Sequence, residues 1–155
     1  LAEMGPTGDC GCEFLFSPNV GEAPLPLNRV ASSGELARVM LALKTSLAAQ
    51  DSVPILIFDE IDRGVGGATA DAVGRRLASL AEGGQVLVVT HSPQVAALGA
   101  YHWRVEKRVE GEMTLSTVVP LADAARVDEI ARMVAGDRIT DEARGAARAL
   151  LSASR

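Results

Sequence analysis

Two short apolar runs separated by one helical segment constrain the fold of this chain more than any other feature. The runs are Pro54–Phe58 (PILIF) and Gln85–Thr90 (QVLVVT), and polar residues follow each of them. A continuous apolar run of this kind is typical of a strand covered on both faces. Thr69–Ala81 lies between the runs, and the order strand, helix, strand predicts a parallel pair with a right-handed crossover. The predicted fold class is therefore α/β, a mainly parallel sheet flanked by helices.

The strongest helical pattern is Ser33–Gln50, in which apolar residues recur at three- and four-residue spacing. One buried stripe is predicted along it, formed by Leu36, Val39, Met40, Leu43 and Leu47. Ser32 or Ser33 can cap the start of this helix. Glu35 lies in its first turn, where the helix dipole favours an acid.

The remaining segments are assigned from their periodicity and turn residues. They are a short strand at Cys12–Ser17, a loop from Pro18 to Asn28, a short helix at Gln94–Leu98, a rim hairpin of Tyr101–Arg108 and Glu112–Val118, and surface helices at Arg126–Ala135 and Thr140–Ser152. With 155 residues, the whole chain (1–155) is predicted to form a single lobe with one core.

Charge and cysteine content narrow the possible partners. The net charge is −5, which makes the chain a poor candidate for binding DNA by itself. Cys10 and Cys12 form a C-x-C pair that can ligate a metal, but neither His91 nor His102 stands at a recognisable ligand spacing. Two small residues at the start of a strand are the simpler interpretation. With no apolar run near ~20 residues and no signal-peptide pattern, a cytoplasmic location away from membranes is predicted.

Polar side chains follow both predicted strands, at the edge of a parallel sheet where ligands bind. Asp59 comes directly after the first strand, a position that suits an Mg²⁺ ion bound to phosphate. Glu60 beside it can orient and deprotonate an attacking water. His91 follows the second strand and could sense or stabilise a γ-phosphate. The alternative is that these acids only cap the next helix.

The start of the long helix is a second candidate site. Ala31–Glu35 (ASSGE) consists mainly of small residues, which leave backbone N–H groups bare at the positive end of the helix dipole. Such an arrangement binds anions. The alternative is an ordinary serine cap, which the same residues also fit.

Three segments carry a resemblance to a known family. Ala31–Lys44 (ASSGELARVMLALK) resembles the ABC signature motif in its SMC-like form, PILIFDEID resembles Walker B with the catalytic glutamate and the start of the D-loop, and VTHSPQVAA resembles the switch-histidine segment. They occur in the family's order and spacing. The segments FLFSPNVGEAPLPL, DEIDRGVGGATADAVG and VDEIARMVAG are similar to the RecN family of bacterial DNA-repair proteins. The resemblance runs from about Gly8 to the C-terminal helix.

The resemblance implies roles for individual residues. Ser32, Ser33, Gly34 and Glu35 would be signature residues that contact the γ-phosphate of a nucleotide held by the opposite head, and Ser33 stands where the family usually has glycine. Asp59 would hold Mg²⁺, Glu60 would polarise the water, Asp62 would be the D-loop acid that reaches across the dimer, and His91 would be the switch. The implied cofactors are ATP and Mg²⁺.

The sequence contains no match to G-x-x-x-x-G-K-[ST], so it lacks the loop and the lysine that hold the β-phosphate. The resemblance therefore implies the C-terminal lobe of an SMC-type head, inactive alone. Its partners would be the N-terminal Walker A lobe, a second head in a homodimer, and DNA through the full-length protein, associated with the nucleoid. A non-catalytic scaffold lobe is the alternative. A truncated transporter ATPase is a third possibility, which the residues VMLALK after the signature argue against.

Overall fold

The structure is a computed structural model that describes residues 13–17, 19–47, 54–111 and 113–153. Its elements in chain order are β1 (Leu15–Phe16), β2 (Leu25–Pro26), α1 (Leu27–Val30), α2 (Ser33–Leu47), β3 (Ile55–Asp59), α3 (Gly67–Leu80), β4 (Gln85–Val89), α4 (Pro93–Leu98), β5 (Trp103–Glu110), β6 (Met113–Pro120), α5 (Asp123–Ala135) and α6 (Asp141–Ala153). The predicted loop from Pro18 to Asn28 thus includes β2 and the start of α1. The C-x-C pair lies outside the described residues.

The predicted strand–helix–strand unit is present. Strands β3 and β4 pair in parallel, in register from Ile55 opposite Gln85 to Asp59 opposite Val89, with α3 between them in the chain. The described residues contain two further sheets, the antiparallel pair β1–β2 and the hairpin β5–β6, and each sheet has two strands. The α/β class is confirmed, while the parallel sheet in the described chain is a single pair.

The main core lies on one face of the parallel pair. Phe58 is 8% exposed and packs there with the partly buried Leu56, Val86 and Val88. Helix α3 supplies most of the opposing surface, through Ala70, Val73, Leu77 and Leu80. Ile61, directly after β3, is fully buried in the same cluster. The core therefore anchors the segment that carries the candidate catalytic residues.

The opposite face of β3 is open, so the prediction that Pro54–Phe58 is covered on both faces is wrong. Ile55 and Ile57 are 49% and 69% exposed, and Val89 at the end of β4 is 53% exposed. Alternate side chains of a strand point to opposite faces, and α2 and α3 pack on the Leu56 and Phe58 side. No element in the described part of the chain covers the other side.

The stripe predicted to be buried on α2 is wrong for three of its five residues, while Val39 and Leu43 are partly buried. Leu36, Met40 and Leu47 are 37%, 49% and 49% exposed, whereas Gly34 and Leu41 are buried and Ala37 packs on the core. The side of α2 that is buried is the one with Gly34 and Ala37, because small side chains let the helix approach its neighbours closely. The larger apolar residues are left on the outer side of the helix.

A second core joins α4 to the two C-terminal helices. Ile130 and Ala131 of α5 pack with Ala143 and Ala147 of α6 and with Ala97 of α4. The predicted surface helices thus share a buried interface with each other and with α4. None of the helices in the described ranges is long and apolar enough to cross a membrane.

An ion pair between a partly exposed arginine and a buried glutamate attaches the hairpin to α5. Glu129 is 5% exposed, and its carboxylate accepts hydrogen bonds from Arg104 of β5 (3.4 Å) and Arg132 (2.5 Å). Hydrogen bonding from Arg132, helped by Arg104, holds the pKa of the Glu129 carboxyl below its ordinary value. The hairpin's outward apolar side chains, which include Trp103, Val105, Val109 and Val118, remain more than half exposed.

Candidate functional site

The carboxyl ends of β3 and β4 lie side by side, because the two strands are parallel and paired up to Asp59 and Val89. Beyond this point the backbone N–H of Glu60 still donates to the carbonyl of Val89, at 3.3 Å. Glu60 then adopts φ +52°, in the left-handed region that side chains other than glycine rarely occupy. The chain therefore turns sharply at Glu60, and its side chain is exposed.

A buried carboxylate joins the two strand ends. Asp62 is 7% exposed, and its Oδ2 atom accepts hydrogen bonds from the Thr90 hydroxyl, the His91 N–H (3.3 Å) and the Ser92 N–H (2.9 Å). Ser92 also begins α4, because its hydroxyl accepts from the Val95 N–H at 3.4 Å. The segment that carries His91 is thus tied to the segment that carries Glu60.

These segments line one cleft of about 610 Å³, within the roughly 300–1,000 Å³ usual for ligand sites. Its walls are Glu60, Asp62–Gly67, His91–Gln94, Met133 and Val134. Glu60 forms an ion pair with Arg63, with 2.8 Å between Oε2 and Nη1. His91 is exposed. Asp59 is exposed at the end of β3 and lies outside the residues that line the cleft.

The start of α2 is a reciprocal capping box. The Ser32 hydroxyl accepts from the Glu35 N–H at 3.3 Å, and the Glu35 carboxylate accepts from the Ser32 N–H and hydroxyl, both at 2.7 Å. These bonds from the Ser32 side chain, and next from its backbone, hold the pKa of Glu35 below its ordinary value. Ser32, and not Ser33, is therefore the cap. A carboxylate of the chain itself therefore binds one of the N–H groups at the helix start that was predicted to bind an anion, that of Ser32.

Gly34 connects this helix start to the cleft. A Cβ atom at Gly34 would lie 2.9 Å from the carbonyl oxygen of Arg63, which is closer than real Cβ contacts come. Arg38 donates a hydrogen bond to the same carbonyl, at 3.3 Å. The absence of a side chain at Gly34 therefore lets α2 pack directly on the loop between Glu60 and the glycines that follow it.

The structure brings Glu60, Asp62 and His91 together at one cleft, and it links Gly34 to them through Arg63. Ser32, Ser33 and Glu35 lie outside the residues that line the cleft. Sequence reasoning placed Thr90 beside His91 at the end of the second strand but gave it no role, and it did not identify Arg63. A threonine at a strand end was a weak signal for Thr90, and nothing in the sequence pattern pointed to the contact between Arg63 and Gly34.

Replacement of Ser32 by alanine is expected to destabilise the chain by about 1 kcal/mol at neutral pH, because it removes the cap. The pKa of Glu35 is lowered in the folded state, so the contribution of this contact is present at neutral pH and is lost as the pH falls through that lowered pKa. Urea unfolding at neutral and at acidic pH measures both effects. Ser33→Ala is the matched control, and an equal loss from Ser33→Ala would contradict the assignment of the cap.

Comparisons with known proteins define the class of the chain. A family model described as "AAA domain, putative AbiEii toxin, Type IV TA system" matches residues 18–97, which is more than half of the chain. The match begins ahead of β2 and ends within α4, so it contains α2 and both parallel strands. The chain therefore belongs to this family of AAA domains.

Curated relatives narrow this class further. The chain is 49% identical to DNA repair protein RecN of Xylella fastidiosa (strain Temecula1) over 94% of its length. It is 46% identical to RecN of Streptomyces coelicolor over 97% and 43% identical to RecN of Bacillus subtilis over 90% of its length. The resemblance to the RecN family is thus confirmed. The chain spans about a quarter of these relatives, 26%, 26% and 24% respectively.

A solved structure described as "Structural biochemistry of ATP-driven dimerization and DNA stimulated activation of SMC ATPases" has a similar fold. The TM-score is 0.50 and the identity is 24%, over 68% of this chain and 62% of that chain. At this identity the likeness shows the fold alone. It confirms the predicted SMC-type head fold and leaves the roles of individual residues as predictions.

Proposed function

We propose that the chain is the C-terminal lobe of the ATPase head of a RecN-like DNA-repair protein. The observation that carries this proposal is the cleft at the carboxyl ends of β3 and β4, where the exposed side chains of Glu60 and His91 both form part of the wall. In this proposal Glu60 orients and deprotonates the attacking water, and His91 contacts the γ-phosphate. The sharp turn at Glu60 supports the first role because it leaves the carboxylate at the surface of the cleft.

The residues at the strand ends fit ATP with Mg²⁺. The side chain of Asp59 is exposed and forms no hydrogen bond or ion pair within the described residues. The described residues also contain no group of three potential metal ligands. Mg²⁺ typically uses one or two carboxylates and takes its other ligands from phosphates and water, so a single Asp59 suits it. Bound there, the ion would neutralise charge on the phosphates.

The open apolar surfaces support a second lobe as the partner. They are the outer side of α2 (Leu36, Met40, Leu47), the open face of the parallel pair (Ile55, Ile57, Val89) and the outward face of the hairpin. Exposed apolar patches of this kind mark interaction surfaces. We assign them to the lobe that carries Walker A. A second head completes the dimer, and DNA is contacted by other parts of the protein because this chain has a net charge of −5.

One observation favours a second candidate, a non-catalytic scaffold lobe. The Glu35 carboxylate already occupies the N–H and hydroxyl of Ser32, where a phosphate from the opposite head would bind. Catalysis through the first proposal requires this contact to open when the heads engage. A lobe in which the contact never opens would serve only as a docking surface.

Calorimetry of Mg-ATP binding tests the proposal, using this chain, the Walker A lobe, and an equimolar mixture of the two. We expect no binding to this chain, weak binding to the Walker A lobe, and tighter binding to the mixture, since only the mixture assembles the phosphate loop with Asp59. Tight binding by this chain alone would contradict the split site. The scaffold alternative predicts that the mixture binds no better than the Walker A lobe.

A further inference from the structure

Asp62 occupies a position that its expected role does not explain. The family resemblance assigns it to contact across the head dimer, yet its side chain is 7% exposed and its Oδ2 atom accepts three hydrogen bonds from its own chain. Three donors of its own chain therefore engage Oδ2, and these bonds tie the buried carboxylate to its own head. Its contacts are to Thr90, His91 and Ser92, the segment that follows β4.

We propose that Asp62 is a positioning residue that acts within its own head, by fixing the backbone that carries His91 relative to the turn that carries Glu60. This inference rests on the function proposed above. It assigns to Asp62 the alignment of two catalytic side chains on one nucleotide, in place of a contact with the nucleotide of the opposite head.

The hydrogen bonds define how the positioning works. The Ser92 nitrogen lies 2.9 Å from Asp62 Oδ2 and 3.0 Å from Thr90 Oγ1, so its N–H is shared between the carboxylate and the hydroxyl. Ser92 in turn caps α4. His91 thus sits between two residues whose backbone or side chain is bound to Asp62, and its own N–H donates to the same oxygen. Its backbone cannot move without breaking at least one of these bonds.

Residues next to Asp62 reinforce the link. Ile61 is fully buried in the main core, and its packing there fixes the backbone beside Asp62. The Asp62 carbonyl accepts from the Val65 N–H at 3.1 Å, and the Glu60 carbonyl accepts from the Arg63 N–H at 3.0 Å, which closes the turn around Glu60. Asp62 is therefore held by the same turn that orients the proposed general base.

Mixed dimers of the full-length protein distinguish action within a head from action across the dimer. Each head carries Glu60 for its own nucleotide. When Asp62 acts within its head, a dimer of wild type with the double variant Asp62→Asn/Glu60→Gln keeps one intact site and about half the turnover. A dimer of the Asp62→Asn and Glu60→Gln single variants then has both sites damaged and little turnover. Action across the dimer predicts the reverse pattern, and that result would overturn the proposal.

Thr90 provides a second test that applies even when the two sites fire only together. Thr90→Val removes the hydroxyl that bonds Asp62 and keeps the side-chain shape, so it should lower kcat about ten- to hundred-fold with little change in nucleotide affinity. Thr90→Ser should restore turnover. The Asp62→Asn/Thr90→Val double variant should be no slower than the slower single variant, since both break one network. A double variant whose loss of turnover equals the product of the two single losses would overturn the proposal. A fully active Thr90→Val would also overturn it.

Two controls separate this inference from the proposed function. Asp71→Asn makes the same chemical change at an exposed carboxylate on α3 that pairs with Arg75, and it should leave turnover unchanged. Glu60→Gln alone reports on the proposed function. When Glu60→Gln abolishes turnover and Asp62→Asn does not lower it, the positioning role is wrong and the proposed function stands. When Glu60→Gln has no effect, the proposed function itself is wrong.

Discussion

Replacement of Glu60 by glutamine is expected to lower ATP turnover of the full-length protein by about 10²–10⁴-fold, the usual contribution of a positioned general base. Glutamine has nearly the same shape, so the turn and the cleft should remain, but its amide cannot accept the proton of the attacking water. Nucleotide affinity should be unchanged, because Glu60 is proposed to act on the water and not on the phosphates. Steady-state turnover and ATP binding by calorimetry measure the two effects separately.

Two comparisons make this result specific. Glu82→Gln changes an exposed glutamate beyond the end of α3 and should leave turnover intact. Glu60→Gly also removes the carboxylate, but it relieves the positive φ of +52° and should not destabilise the turn. A Glu60→Gln protein with unchanged turnover would contradict the catalytic role of Glu60 and, with it, the proposed function.

Replacement of Ile61 by alanine is expected to destabilise the chain by about 2–5 kcal/mol, the range for truncating a buried aliphatic side chain to alanine. Ile61 is fully buried at the centre of the main core, so its loss leaves a cavity directly beneath the segment that carries Glu60 and Asp62. Urea unfolding of the chain, followed by circular dichroism, gives the change in the free energy of unfolding.

Ile57→Ala is the matched control. It is the same isoleucine-to-alanine change, made on the open face of β3, where Ile57 is 69% exposed. Its cost in the chain alone should be well below that of Ile61→Ala. In the assembled head the cost of Ile57→Ala should rise, since the proposed Walker A lobe buries that face. Equal costs for Ile57→Ala in the chain and in the head would contradict the proposed location of the second lobe.

The sequence was sufficient to predict the parts of the fold that depend on local pattern. The parallel pair, α3, the hairpin and the two C-terminal helices follow from periodicity and glycine turns, and their boundaries differ from the prediction by at most a few residues. Burial was predicted less well. Periodicity shows that α2 has an apolar side and that β3 is apolar throughout, but it does not show which surfaces the same chain covers. Leu36 and Ile57 therefore look like core residues in the sequence and are exposed in the structure.

The candidate site divides in the same way. Parallel pairing is enough to predict that residues after β3 and β4 meet, and Glu60 and His91 do line one cleft. The internal role of Asp62 was not predictable, because it depends on the direction of one carboxylate towards three donors nearly thirty residues away. The capping box was partly predictable, since Ser32 and Glu35 have the required spacing, but the choice between Ser32 and Ser33 depends on backbone geometry.

The packing at Gly34 limits what a glycine at this position can indicate about ATP hydrolysis in related heads. Its missing side chain leaves room for the Arg63 carbonyl of the same lobe, so any larger residue would push α2 away from the turn at Glu60 whether or not a nucleotide ever binds. A descendant that had lost hydrolysis would remain under steric selection to keep this glycine. A glycine retained at this position therefore reports on packing, and the proposed ATPase activity has to be tested at Glu60 and His91 instead.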